Sequence, residues 1–91
     1  MTERGRNLTS LFVMRGGSLE YIKPGGVFRR TRQDAMIETA EITAVYNDPL
    51  GIPHVRFDVF FEKPGCDSYR DGPRVLALAT FFENFDERVA G

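Results

Sequence analysis

The sequence has a single cysteine, Cys66, a single histidine, His54, and no tryptophan. No disulfide can form within the chain. A closed structural zinc site, which usually takes four Cys or His ligands, cannot be assembled either. Long hydrophobic runs are also missing. The stretch from Leu8 to Met14 follows Arg4 and Arg6 as a signal peptide would, but it is short and holds Thr9 and Ser10. No small-residue cleavage site follows it. Nothing approaches the roughly 20 apolar residues of a membrane-spanning helix. An excess of one charge is absent too, since 12 Lys and Arg face 13 Asp and Glu for a formal net charge of -1. A strongly basic nucleic-acid coat is thereby excluded. At 91 residues the chain leaves room for one domain and rules out a two-domain enzyme. The expectation is one soluble, cytoplasmic domain over residues 1–91, held by its core in a reducing compartment, with residues 1–7 as a flexible tail and no membrane association.

The small net charge hides an asymmetry. Residues 1–32 hold seven basic and two acidic side chains, whereas residues 33–91 hold five basic and eleven acidic ones. An anionic partner for the first part is one reading. Mutual neutralisation within one compact domain is the simpler one.

Period-two alternation dominates what is there. Ala40, Ile42, Ala44 and Tyr46 alternate with polar residues, and Val55, Phe57, Val59 and Phe61 repeat the pattern. Both runs suit half-buried antiparallel strands. Between them, Asn47 to Pro53 has loop chemistry, with Asp, Pro and Gly in turn positions. Placing Val45 opposite Arg56 and Glu41 opposite Phe60 avoids setting Glu41 against Asp58, a like-charge pair. In that reading Val45 and Phe60 point away from the core.

Further turns divide the chain. Lys23-Pro24-Gly25-Gly26 predicts a type II turn with Gly25 at positive φ. Arg15-Gly16-Gly17-Ser18 separates Leu11–Met14 from Leu19–Ile22, and Arg32-Gln33-Asp34 turns Val27–Thr31 back onto the long strand that begins near Met36. Lys63 to Pro73 reads as an eleven-residue polar loop, followed by a strand over Arg74–Ala79. Thr80 to Phe85 either extends the preceding strand or, in the reading favoured, forms a short helix with Thr80 as N-cap and Glu83 as its capping-box partner. The fold expected is all-β with one short C-terminal helix: a sequential antiparallel meander curled into a partly open, SH3-like barrel. Fold alone licenses no function.

Candidate functional residues are few. His54 opens a strand and Cys66 lies beyond its other end; the strand ends are roughly 26 Å apart at about 3.3 Å per residue, so only a sharp bend of the strand would let them act as nucleophile and base. Asp34, Asp67 and Asp71 match no calcium-loop spacing. Gly25-Gly26 precedes a strand and cannot cradle phosphate as a helix N-terminus would. Neither a cofactor nor a metal is implied, and no catalytic set emerges. Arg29, Arg30 and Arg32 form the sharpest basic cluster; ion pairing with Glu38 or Asp34 is the plainer reading of it. Phe60 is an aromatic on a polar face and marks either a contact surface or a site covered by Phe81, Phe82 and Phe85. Strand connectivity should gather Arg30, Arg32, Cys66, Asp67, Tyr69 and Arg70 at one end of the sheet. Arg30, Arg32, Tyr69, Arg70 and Phe60 are therefore the candidate binding surface. The function expected is a non-enzymatic protein-interaction or regulatory module, with a protein partner or a second copy of itself. The alternative is nucleic-acid or other polyanion binding through Arg29, Arg30 and Arg32.

Overall fold

A computed structural model gives the structure of the chain, with residues 6–8 and 10–90 described. These residues form β1 (Arg6–Leu8), β2 (Leu11–Arg15), β3 (Ser18–Ile22), β4 (Val27–Thr31), β5 (Ile37–Asn47), β6 (Pro53–Glu62), β7 (Tyr69–Ala77), α1 (Leu78–Asn84) and β8 (Glu87–Ala90). The fold is mostly β with one short helix, and its main antiparallel sheet does not close. The expected tail over residues 1–7 lies outside the described residues except for Arg6 and Asn7, which pair with β5 as part of β1.

The meander holds for β4 to β7, which are sequential neighbours in the order β7-β6-β5-β4-β8. It does not extend upstream. β2 and β3 form a separate two-stranded sheet, and β8 returns to the free side of β4. One flank of β5 is shared, with β4 alongside Ile37 to Glu41 and β1 alongside Val45 to Asn47. Between those stretches, Ile42 bonds to Gly25 and Gly26 through its carbonyl and amide. The turn before β4 is thereby stitched into the sheet. Gly25 has φ +92°, as the type II turn requires, and the Gly26 amide donates to the Lys23 carbonyl at 3.1 Å.

β6 alternates as expected, with Val55, Phe57, Val59 and Phe61 buried. β5 does not. A bulge between Ile42 and Ala44 shifts its phase, so Ala40, Ile42 and Val45 face the core. Val45 is thus a core residue, contrary to the alternation. The register differs as well. Glu41 stands opposite Asp58, the pairing that charge argued against, because this register seats Ala40 on Val59, Ile42 on Phe57 and Val45 on Val55. All six of those side chains are buried. Their burial outweighs one like-charge contact on the outer face, whose half-buried Asp58 is in any case neutralised by Arg70 at 2.7 Å.

The polar loop after β6 is shorter than its composition suggested. β7 begins at Tyr69 and carries Gly72 and Pro73 within the strand. This is possible because β7 is a sheet edge, where proline's missing donor costs no ladder bond. The strand ends at Ala77 and α1 starts at Leu78, two residues ahead of the expected cap; Ala77 supplies no side-chain bond, and Thr80 lies inside the helix. α1 lays Phe81 and Phe85 against Phe57, with ring centroids 5.0 and 5.5 Å away. Ile22 joins this core from the hairpin, and Leu11 and Val13 pack against it.

Candidate functional site

Strand register places the predicted residues. Arg30 on β4, Glu38 on β5, Phe61 on β6 and Tyr69 on β7 stand side by side in one transverse row. The row faces the core side, where the Tyr69 ring lies 5.3 Å from Phe61 and the Arg30 guanidinium 5.6 Å from Phe85. The next row holds Arg29, Thr39, Phe60 and Arg70, and period two turns it to the opposite face. The five expected surface residues therefore share one end of the sheet but not one face: Arg30 and Tyr69 lie on one side, Phe60 and Arg70 on the other. Phe60 is half-buried. The aromatic helix does not cover it, since Phe81 and Phe85 pack on Phe57 across the sheet.

Each arginine of the basic cluster has a carboxylate partner. Arg30 donates from Nε and Nη2 to the two oxygens of Glu38, both at 3.2 Å, and from Nη1 to Asn84 Oδ1 at 3.0 Å. The Glu38 carboxylate is buried beneath it and also receives Arg32 at 3.4 Å. Arg32 lies 3.5 Å from Asp34. Arg29 bonds Glu87 at 2.8 Å on the outer face. That hydrogen bond, and then the charge of Arg29, hold the Glu87 carboxyl below its ordinary range, while the same contacts raise the guanidinium.

Cys66 is exposed beyond the far end of β6. His54 sits at the near end, stacked on Tyr46 at 5.4 Å, with its Nδ1 2.8 Å from the Ile52 carbonyl. Among the described residues no group of three His, Cys, Asp or Glu could hold a metal, and no helix is long and apolar enough to cross a membrane.

Two features were not read from the sequence. The first is a cleft of about 440 Å³ between the end of α1 and the sheet, with Phe57, Leu76 and Phe85 as apolar lining and Arg30, Arg74, Glu38 and Asn84 as polar lining. The second is the outer face of the β2–β3 hairpin. Cross-strand pairing sets Phe12 beside Tyr21 and Met14 beside Leu19. These side chains are 66%, 41%, 65% and 63% exposed, so the patch is apolar and open to solvent. The two rings touch at 4.8 Å.

The inner face of the hairpin is fixed by charge as well as by apolar packing. Glu20 meets Arg15 at 2.7 Å and Arg88 at 3.7 Å. Arg15 lies over Phe82 at 4.6 Å and Arg88 over Phe28 at 4.9 Å, and Arg88 also donates to the Tyr21 carbonyl. The hairpin is thus anchored with its second apolar face outward. β2 shows no alternation in the sequence, because Leu11 and Val13 are as apolar as Phe12 and Met14, so residue type did not tell inside from outside.

Neither a protein-family model, nor a curated protein, nor a solved structure matches the chain.

Proposed function

We propose that this protein is a non-catalytic interaction module, a cytoplasmic domain of the SH3-like small-barrel type, that self-associates through the outer face of its β2–β3 hairpin. One observation carries the reading: four large apolar side chains in two adjacent cross-strand pairs stand open on a hairpin whose other face is anchored to the core. Their exposed area is roughly 400 Å², at about 150–250 Å² for a large side chain scaled by its exposure, which is the size of a functional patch on a small protein.

A second copy is the occupant that fits. A two-fold interface must be self-complementary, and no charged side chain stands among the four residues of the patch to meet its own like. Lys23 stands at the rim, its ammonium 5.7 Å from the Tyr21 ring. Two patches stacked face to face bury about twice the area of one, near the lower limit of roughly 1,000 Å² for a specific interface. Association is therefore weak and rises with concentration. The exposed thiol of Cys66 fits a reducing compartment. The polyanion reading has less support, because Arg29, Arg30 and Arg32 already hold carboxylates.

Sedimentation velocity over a range of concentrations tests the proposal. The weight-average mass should climb from monomer toward dimer, and Leu19→Lys should remain monomeric with an unchanged β spectrum. A wild-type chain that stays monomeric throughout, or a Leu19→Lys variant that associates equally well, overturns it.

A further inference from the structure

We infer that Met14 is an oxidation site that sets whether the hairpin face can pair. Peroxide converts its thioether to the sulfoxide, and the oxidised chain stays monomeric. The inference rests on the self-association proposed above.

The chain has three methionines, and the two among the described residues sit in opposite surroundings. Met36 is half-buried against the core, and its Sδ accepts a hydrogen bond from Arg32 Nη1 at 3.8 Å. Met14 is 65% exposed, and its cross-strand neighbour Leu19 is 63% exposed. Period two turns Met14 away from the core, because Val13 packs inward. A solvent-borne oxidant therefore reaches Met14, whereas Met36 is shielded and its sulfur lone pair is engaged.

Hydrogen peroxide is the oxidant. A sulfur lone pair attacks one peroxide oxygen, the S–O bond forms as the O–O bond breaks, and the other oxygen leaves as water. Sulfur loses two electrons and peroxide gains them. The sulfoxide is a strong acceptor where the thioether was a weak one. Among the four residues of a facing patch, only the Tyr21 hydroxyl can donate to it, and burying an unpaired acceptor is costly. A two-fold interface carries that oxygen twice.

Protection runs the other way. Pairing covers Met14, so dimers oxidise more slowly than monomers. A weak dimer keeps monomer in exchange, so the site stays reachable. A sulfoxide reductase fed by a dithiol reverses the step, removing the oxygen as water.

The test uses the intact chain carrying Cys66→Ser, so that the exposed thiol takes no oxidant. Dilute hydrogen peroxide is the probe. Tryptic peptides 7–15 and 33–56 report Met14 and Met36 separately by mass, and sedimentation velocity reports association. Met14 should oxidise several-fold faster than Met36, and its rate alone should fall as protein concentration rises. The Met14 sulfoxide chain should dimerise about tenfold or more weakly and recover after treatment with sulfoxide reductase and dithiothreitol. Met14→Leu keeps the apolar volume and should dimerise with or without peroxide. Unchanged association of the Met14 sulfoxide chain overturns this inference alone. So does a peroxide-treated Met14→Leu variant that loses association as fully as its parent. An unoxidised chain that never associates overturns it together with the self-association reading.

Discussion

Arg30 and Glu38 face each other across β4 and β5 as a two-point ion pair, and the carboxylate is only 2% exposed while the guanidinium reaches solvent. The pair is unequal. Removing the arginine leaves a buried charge, still touched by Arg32; removing the glutamate leaves a solvated one. Arg30→Ala is therefore expected to destabilise by about 2–4 kcal/mol and Glu38→Gln by about 1–2 kcal/mol. Urea midpoints of the two variants check the order, which equal losses would contradict.

Phe57 is fully buried, with Phe81 and Phe85 against it. Phe57→Ala should cost about 3–5 kcal/mol, a large share of the stability of a domain this small. Thermal melting should show the loss plainly.

Backbone conformation gives a pair of opposite predictions. Gly25 has φ +92° with open space where a Cβ would stand, and Ala35 has φ +66° in the β4–β5 turn. Gly25→Ala should destabilise by about 1 kcal/mol from conformation alone, and Ala35→Gly should stabilise by up to about 1 kcal/mol. Denaturant titration of both variants reads the two signs, and a stabilising Gly25→Ala would remove the conformational argument.

The Arg29–Glu87 pair predicts an acid-side dependence. Glu87 has a lowered folded-state pKa, so between its folded and unfolded values the unfolded chain binds more protons and stability rises with pH. The contribution is present above the usual glutamate range of about 4.3 and is lost as pH falls through the lower folded value. Wild type minus Glu87→Gln should thus show a stability difference at neutral pH that shrinks in acid. Because both groups are exposed, added salt should shrink it as well.

The anchoring of the hairpin can be loosened selectively. Arg88 touches Glu20, the Tyr21 carbonyl and the Phe28 ring. Arg88→Ala should raise amide exchange in β2 and β3 several-fold while leaving β5 and β6 nearly unchanged. Equal acceleration everywhere would mean that the hairpin does not open on its own.

Much of the fold was legible in residue types: the alternation of β6, the turns at Pro24-Gly25 and Arg32-Asp34, and a short aromatic helix near the C-terminus. What escaped lay in couplings between strands. Thr43 has no side-chain feature that announces a bulge, yet the bulge decides that Val45 rather than Ala44 enters the core. A single like-charge contact between Glu41 and Asp58 counts for less than three buried pairs that no local window displays together. Pro73 reads as loop unless β7 is known to be an edge. For the candidate surface, sequence placed Arg30, Arg32 and Tyr69 at one end; which face each of the five residues takes required the register of all four strands.

Pro73 has a consequence for how copies of this chain can accumulate. Growth of an intermolecular sheet needs a continuous donor row on an open edge. β7 interrupts that row with the proline and with the bulge beside Gly72, and at the other edge β8 offers four residues. β7 and β8 are therefore poor templates for indefinite strand addition. The face-to-face stacking of two hairpins proposed above, by contrast, is complete once two copies have met, and would favour a finite assembly over a fibre even when the protein is concentrated.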